Sequence, residues 1–286
     1  MSINWFPGHM ALAVEKIKKA MADQDIVIEV LDARCPRASA NPMVETLRLA
    51  RQRPCLKVLN KTDAADPSAT PRWIAYFNAQ KNTQAIAISA KKPGDANRII
   101  AAAKKLAPHR NDTLKPLRML VMGVPNVGKS TLINALLKQR AAKVGDEPAI
   151  TKSLARYELS PTVQLTDSPG LMWPDIGDPE AGLMLAASHI IGVRAYIDTE
   201  VAEYLAGTLL ARYPDALSKR YGLPAAPSGL DSVAVIDAIA QRRGFRIRGG
   251  GFDTEKAALT LLNDYRSGAL GRISLEMPAP DGGEQD

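Results

Sequence analysis

Short apolar runs alternate with segments of helical spacing in the first part of the chain. Runs typical of buried strands occur at 25–31, 55–59, 84–88 and 117–122, and a pair of strands is predicted at 154–159 and 163–166. Apolar residues spaced three and four apart predict helices at 11–23, 43–53, 71–81, 96–106 and 131–138. This alternation indicates βαβ units and a parallel sheet, whose ligands bind beyond the carboxyl ends of the strands.

The pattern changes near Asp178, where strand-like runs stop and helical spacing continues. Helices are predicted at 179–191, 201–213, 216–221, 232–242 and 254–267. We therefore predict an α/β domain over residues 1–177, with an N-terminal extension at 1–24, and a small, mostly α-helical domain over 178–277. Residues 278–286 are rich in Pro, Gly and acidic side chains, which predicts a disordered tail.

The amino-acid composition narrows the chemical class of the binding partner and the cellular compartment. The 286 residues carry a formal net charge of +7, which indicates an anionic partner and favours nucleic acid over a membrane surface. Two cysteines, Cys35 and Cys55, exclude a disulfide framework and a cysteine-rich metal centre, and they fit a reducing cytoplasm. The sequence contains neither an apolar run of membrane-spanning length nor a secretory signal near residue 1. We expect a cytoplasmic protein with no membrane partner; its oligomeric state stays open, with a monomer as the default.

A phosphate-binding loop follows one of the predicted strands. Residues 123–130 read Gly-Val-Pro-Asn-Val-Gly-Lys-Ser and match G-x-x-x-x-G-K-[ST] at every fixed position. Its glycines allow close approach of the backbone, whose successive N–H groups surround the β-phosphate. Lys129 is expected to bridge the β- and γ-phosphates and to act in catalysis. The residues predicted to bind nucleotide here are Asn126, Val127, Gly128, Lys129, Ser130 and Thr131.

A guanine-reading pattern, N-K-x-D, stands at 60–63, before the phosphate loop. The carboxylate of Asp63 can accept hydrogen bonds from guanine N1–H and the exocyclic amine, a donor pair that adenine lacks. Asn60 can bond the opposite edge of the base, and Ser-Ala-Lys at 89–91 can offer a backbone N–H to the guanine oxygen. The predicted guanine-binding residues, which favour GTP and GDP over ATP, are Asn60, Lys61, Thr62, Asp63, Ser89, Ala90 and Lys91.

The order of these motifs is rearranged relative to ordinary small GTPases, in which the guanine reader follows the phosphate loop. Here the phosphate loop comes later, followed by the switch threonine and by Asp-Ser-Pro-Gly at 167–170. The chain resembles the circularly permuted GTPases, and specifically the YlqF/RbgA family of ribosome-assembly GTPases. Further residues that carry the resemblance are 4–10 (Asn-Trp-Phe-Pro-Gly-His-Met), 32–36 (Asp-Ala-Arg-Cys-Pro), 248–250 (Arg-Gly-Gly) and 264–268 (Asp-Tyr-Arg-Ser-Gly). The chain departs from the family at 148–149, where Pro-Ala replaces the usual Pro-Gly, so the resting pose of that loop is expected to differ.

The resemblance implies a circularly permuted P-loop GTPase domain that hydrolyses GTP to GDP and phosphate, followed by the helical domain. It also implies a partner, the precursor of the large ribosomal subunit and its ribosomal RNA, whose particle is expected to stimulate hydrolysis. A glycine-rich loop in the helical domain is basic enough to contact RNA, with Phe245 available to stack on a base. The arginines of this loop are Arg242, Arg243, Arg246 and Arg248.

Residues near the phosphate loop also predict binding of metal ions. Ser130 and Thr151 provide hydroxyls for Mg²⁺, Thr151 also acting in catalysis, and Asp167 orders a metal-bound water. The N–H of Gly170, the last residue of Asp-Ser-Pro-Gly, can contact the γ-phosphate. Asn126 matches a position that ligates K⁺ in potassium-activated relatives, where the ion supplies the positive charge of an arginine finger.

The group that orients the attacking water is not the usual one. Leu171 stands where many GTPases have a water-orienting glutamine. The resemblance implies that the histidine of the Pro-Gly-His-Met motif, His9, takes this role. Two functions therefore stay open: a GTPase whose slow hydrolysis is raised by the ribosomal particle, or a nucleotide-gated RNA-binding factor with negligible hydrolysis.

Overall fold

The structure is a computed structural model of the chain, and it describes residues 9–110, 112–141, 154–173, 176–192, 195–224 and 230–278. These residues form two compact units. One unit contains the described residues up to 173 together with residues 276–278, and the other is Ile176–Leu275.

A single sheet forms the centre of the first unit, and within the described residues it has six strands in the order β3-β2-β1-β4-β6-β5. The strands are β1 Ile26–Asp32, β2 Cys55–Asn60, β3 Thr83–Ala87, β4 Leu117–Met122, β5 Ala155–Ser160 and β6 Val163–Asp167. Every neighbouring pair is parallel except β5 with β6. This confirms the predicted mostly parallel sheet and its final pair of strands. The chain proceeds outward from β1 to β3 and then restarts at β4, so its direction reverses between β1 and β4.

The helices of the first unit connect the strands and flank the sheet. They are α1 His9–Met21, α2 Pro42–Ala50, α3 Ala69–Asn78, α4 Asn97–Leu106 and α5 Lys129–Ala141. The side chain of Asn41 caps α2 by accepting a hydrogen bond from the main-chain N–H of Met43, and Pro42 occupies the first turn. Helix α5 begins two residues earlier than predicted because the phosphate loop passes directly into it. Its apolar side chains are buried as expected, namely Leu132, Ile133 and Leu136.

An ion pair lies inside the sheet, between the fully buried strands β1 and β2. Glu29 and Lys57 are opposite each other in the register, with Nζ 2.7 Å from Oε2. Burial alone would lower the pKa of Lys57, but the Glu29 carboxylate raises it, so the ammonium group stays charged. The ammonium also lies 5.2 Å from the centroid of the Phe77 ring. Removing one partner of such a pair costs about 3–5 kcal/mol, because the other charge is then buried alone.

The second unit is helical. Its helices are α6 Pro179–Ala187, α7 Asp198–Arg212, α8 Pro214–Tyr221, α9 Ser232–Arg243 and α10 Thr254–Ser267. Helix α6 ends earlier than the predicted residue 191, because Ser188 closes its last turn and His189 then adopts a φ of +58°. No helix in the described part of the chain combines the length and apolar character that crossing a bilayer requires.

The motif at 264–268 stabilises the helical unit. The carboxylate of Asp264 accepts two hydrogen bonds from Arg220, at 2.8 and 2.7 Å, and one from the Tyr221 hydroxyl at 2.7 Å. Arg266 donates to the carbonyl oxygens of the last two residues of α6, both at 3.0 Å. Gly268 ends α10 with a φ of +82°, a left-handed conformation that favours glycine. In this part of the chain the residues that carried the family resemblance therefore have a structural role.

The chain returns to the first unit after the helical unit, at Glu276. The Glu276 carboxylate accepts hydrogen bonds from the main-chain N–H groups of Arg37 and Ala38, in the loop that follows β1. Its carbonyl oxygen accepts one from Trp73 Nε1 at 3.4 Å, and Met277 packs against the apolar cluster around Trp73. The helical domain predicted at 178–277 extends two residues beyond Leu275, the last residue of the helical unit.

Candidate nucleotide-binding site

The predicted site residues that the structure describes lie at the edge of the sheet where its parallel strands end. The register pairs Asp32 with Asn60 and Val121 with Asp167. The guanine reader begins at the last residue of β2, Ser-Ala-Lys follows β3, and the phosphate loop follows β4. This edge includes the point between β1 and β4 where the chain direction reverses, which is where ligands of such sheets bind.

Two positions of the phosphate loop require glycine. A Cβ at Gly123, whose φ is +148°, would lie 2.6 Å from the carbonyl oxygen of Val30. A Cβ at Gly128, whose φ is +99°, would lie 2.3 Å from Nδ2 of Asn60. Without a side chain, Gly123 lets the loop pack closely against β1, and Gly128 lets it pack closely against the guanine reader.

Asn60 connects the three nucleotide motifs. Its Nδ2 donates to the carbonyl oxygen of Val127 at 2.9 Å, and its Oδ1 accepts from the N–H of Ala90 at 2.9 Å. The side chain that the sequence assigned to the base edge therefore also joins the phosphate loop to Ser-Ala-Lys. These contacts set the distance between the base-binding and phosphate-binding parts of the site.

Lys61 makes a second connection, through the buried carboxylate of Asp32. Its Nζ lies 2.8 Å from Oδ2 of Asp32 and donates to the carbonyl oxygen of Asn126 at 2.7 Å. Arg34 donates to both oxygens of the same carboxylate, at 2.9 and 2.8 Å. Burial alone would raise the pKa of Asp32, but the charges of Arg34 and Lys61 hold it well below its usual range. Asp32 is thus a site residue that no nucleotide-binding pattern predicts. The signal in the sequence is its position at the end of a strand that neighbours the strand of the guanine reader.

Asp63 is held at the surface by Ser89. The hydroxyl of Ser89 donates to Oδ1 of Asp63 at 2.8 Å, and Lys91 Nζ lies 3.6 Å from Oδ2. The side chain of Asp63 is 41% exposed, so its carboxylate is accessible to a base. The N–H of Thr62 donates to the carbonyl oxygen of Ile88, which fixes the guanine reader beside Ser-Ala-Lys.

Lys129 lies within the phosphate loop itself. Its Nζ donates to the carbonyl oxygens of Gly123 and Val124, at 2.9 and 2.7 Å. Burial lowers its pKa to about 8, an effect that the Asp167 carboxylate partly offsets. Ser130 and Thr131, the next two residues of α5, are exposed.

The segment after β6 lies on the phosphate loop. A Cβ at Gly170 would lie 3.1 Å from Cα of Pro125 and 3.2 Å from Nζ of Lys129. The next residue, Leu171, is 1% exposed and packs in an apolar cluster with α1 and β4. Its side chain therefore points into the core, where it cannot orient a water molecule. Thr151, Ala149 and the side chain of His9 lie outside the described residues, so their predicted roles stay predictions.

The basic loop of the helical unit is exposed, but its rings have partners. The arginines predicted to contact RNA are all exposed. Lys256 Nζ lies 4.6 Å from the centroid of the Phe245 ring, and the Arg246 guanidinium lies 5.2 Å from that of Phe252. One face of each ring is thus covered by a cation, so the loop presents positive charge more directly than a stacking surface.

Comparison with known proteins decides the family. A family model described as 50S ribosome-binding GTPase matches residues 118–204, which include the phosphate loop and Asp-Ser-Pro-Gly. Ribosome biogenesis GTPase A of Bacillus cereus is 38% identical over 97% of this chain and 95% of its own length. The chain belongs to the ribosome biogenesis GTPase A family. Mitochondrial ribosome-associated GTPase 1 of Mus musculus is 32% identical over 95% of this chain and 89% of its own.

Solved structures related to this family have the same fold. The GDP-bound structure of YlqF from Thermotoga maritima matches with a TM-score of 0.65 and 25% identity, over 92% of this chain and 98% of that chain. Its GNP-bound structure matches with a TM-score of 0.62, over 92% and 97%. The resemblance inferred from the motif order is thereby confirmed, together with the P-loop GTPase fold and its helical C-terminal region.

The contact between Gly128 and Asn60 can be tested with Gly128→Ala. The added Cβ would collide with Nδ2 of Asn60 and strain the left-handed backbone, so we expect GDP affinity to fall roughly ten- to a hundredfold. Gly94→Ala is the matched control, because Gly94 also has a positive φ, +84°, but its Cβ would meet nothing within 4 Å. Fluorescent GDP titration measures both variants, and equal loss in the two would contradict the contact's role.

The lowered pKa of Lys129 predicts proton uptake on binding. Phosphates bound beside the ammonium group would raise that pKa again, so above about pH 8 binding brings a proton with it. GDP affinity is expected to fall with rising pH there, by up to about tenfold per pH unit. Calorimetry in buffers with different heats of ionisation counts the protons, and Lys129→Arg, which keeps its charge, is the control. A count of zero at about pH 9 in the wild type would show that Lys129 is already charged.

Proposed function

We propose that this protein binds GTP at the edge of the sheet and hydrolyses it to GDP and phosphate during maturation of the large ribosomal subunit. The observation that carries the proposal is the direct bonding of the guanine reader to the phosphate loop, through Asn60 to Val127 and through Lys61 to Asn126. The base-binding and phosphate-binding parts of the site are therefore bonded directly to each other. We place the protein in the cytoplasm, in keeping with its reduced, buried cysteines, and expect it to act as a monomer.

Guanine selectivity depends on Asp63. Its carboxylate, oriented by the Ser89 hydroxyl, would accept from the two adjacent donors of guanine. Adenine offers no such pair, so binding ATP would leave the carboxylate without its partners. The N–H groups of Ser89 and Ala90 already bond Asp95 and Asn60, so the backbone N–H offered to the guanine oxygen would come from Lys91 or be shared.

The phosphate side fits Mg²⁺. Oxygen atoms are the ligands this ion prefers: Ser130 at the start of α5 would supply a hydroxyl, and Asp167 at the end of β6 would hold a metal-bound water. Thr151 would add a second hydroxyl. In the described residues no group of three His, Cys, Asp or Glu could hold a metal, so the remaining ligands would be phosphate oxygens and water. When bound, Mg²⁺ neutralises charge on the phosphates, while Lys129 supplies a further positive charge.

Water orientation is assigned to His9. Leu171 occupies the position at which many GTPases have a water-orienting glutamine, and its side chain is buried in the apolar core. A histidine can hold a water molecule in line and accept its proton near neutral pH. His9 is the first residue of α1, whose later residue Ile17 packs in the same apolar cluster as Leu171.

The proposed partner is ribosomal RNA of the large-subunit precursor. The exposed arginines of the basic loop, with a net charge of +7 for the chain, would neutralise RNA phosphates. A loop whose glycines at 249–251 all have positive φ has no side chains at its tip to block approach to a phosphate backbone. The buried Leu171 also favours the second candidate function, a nucleotide-gated RNA-binding factor with negligible hydrolysis.

GTP turnover with and without large-subunit particles separates the two functions. We expect the particles to raise turnover, and His9→Ala to lower the stimulated rate by about 10²–10⁴-fold while GDP binding is retained. His109→Ala, at an exposed histidine, is the control and should be silent. If turnover is absent under both conditions while GTP still binds, the RNA-binding factor is the correct assignment; if His9→Ala keeps full activity, another group orients the water.

We further propose that K⁺ binds beside the phosphates through Asn126. Turnover is then expected to be faster in KCl than in NaCl at equal ionic strength, since the ion would supply positive charge in the transition state. Asn126 has a φ of +57°, so Asn126→Gly keeps the backbone and removes the ligand, which should abolish the preference. Asn126→Asp keeps an oxygen ligand and should preserve it. Equal rates in the two salts for the wild type would exclude the ion's role.

A further inference from the structure

The main chain directly after Gly170 is fastened to the core of the sheet by one buried side chain, Asn41. Its Nδ2 donates to the carbonyl oxygen of Leu171 at 3.0 Å, across 130 positions of sequence. The N–H of Leu171 donates to the carbonyl oxygen of Gly123 at 3.3 Å. Both polar groups of the Leu171 main chain are therefore bonded, one to Asn41 and one to the start of the phosphate loop.

Asn41 is itself held rigidly. It is 1% exposed, its N–H donates to Oε1 of Glu29 at 2.8 Å, and its Oδ1 accepts from the N–H of Met43 at the start of α2. The other oxygen of Glu29 pairs with Lys57 in β2. The amide of Asn41 thus has its oxygen fixed by the helix and its nitrogen directed at Leu171, and the buried ion pair of the sheet supports its backbone.

We propose that Asn41 is a positioning residue for γ-phosphate recognition, an inference that rests on the proposed function. Gly170 can contact a γ-phosphate only if its main chain stays in place over Lys129, and that placement is set by the residue that follows it. Preorganised donors stabilise charge better than donors that must be ordered on binding. GDP has no γ-phosphate, so the bond from Asn41 to Leu171 contributes to GTP binding and hydrolysis but not to GDP binding.

Two variants separate this role from capping of α2. Asn41→Ser keeps a good helix cap, but its hydroxyl is too short to reach Leu171. Asn41→Ala loses both contacts. If Asn41 positions Gly170, both variants lower the affinity for a non-hydrolysable GTP analogue relative to GDP by about fivefold, the typical effect of one neutral hydrogen bond. Asn41→Ala should then lower the unfolding temperature more than Asn41→Ser does, because it loses the helix cap as well as the bond to Leu171.

The test measures Kd for the GTP analogue and for GDP, kcat for GTP, and the unfolding temperature. The proposal is supported if Asn41→Ser lowers the ratio of analogue affinity to GDP affinity and lowers kcat, while it remains folded at the assay temperature and binds GDP with wild-type affinity. An unchanged ratio in Asn41→Ser, or equal weakening of both nucleotides, overturns it and leaves Asn41 a helix cap. If Asn41→Ser does not fold, Asn41→Gly, a residue that is also accepted at helix caps and has no side chain to reach Leu171, gives the same decision. A wild type that binds neither nucleotide would reject the proposed function, and this inference with it.

Discussion

The arrangement of the nucleotide site depends on one buried carboxylate, that of Asp32. The Asp32 carboxylate ends strand β1 with no access to solvent, a position that is stable only because Arg34 and Lys61 compensate it. Lys61 in turn bonds the phosphate loop at Asn126, so the charge fixes the guanine reader relative to the loop. A carboxylate paired in this way stays ionised over the physiological range, which keeps the spacing of the two parts of the site constant.

The motifs were predictable from sequence because their physics is local. Gly128 and Lys129 act through backbone angles and through a side chain within one short loop, so spacing alone identifies them. The contacts of Asp32 and Asn41 could not be identified in that way, because each bonds a residue far along the chain and neither belongs to a nucleotide-binding pattern. The observed element boundaries differ from the predicted ones by a few residues. Helix α6, for example, ends early because His189 adopts a left-handed conformation, which the spacing of apolar residues does not predict.

The buried side chain of Leu171 stabilises the fold at a position where many GTPases have a residue that acts in hydrolysis. A glutamine there would be a polar group in an apolar cluster, whereas leucine anchors the segment that follows β6. Because Leu171 is buried, it takes no part in catalysis. The group that orients the water must then belong to another part of the protein or to the partner. The function proposed above follows from this arrangement: the isolated protein would hydrolyse GTP slowly, and the partner would raise the rate.

The return of the chain at Glu276 bears on how the protein can be dissected. The carboxylate of Glu276 satisfies two main-chain N–H groups in the loop that follows Asp32, and Met277 packs against the apolar cluster around Trp73. A stop codon placed before the helical unit would therefore delete part of the nucleotide-binding unit as well, and leave those donors exposed. Excising Ile176–Leu275 and joining the ends with a flexible linker would instead retain the contacts that Glu276 and Met277 make with the first unit.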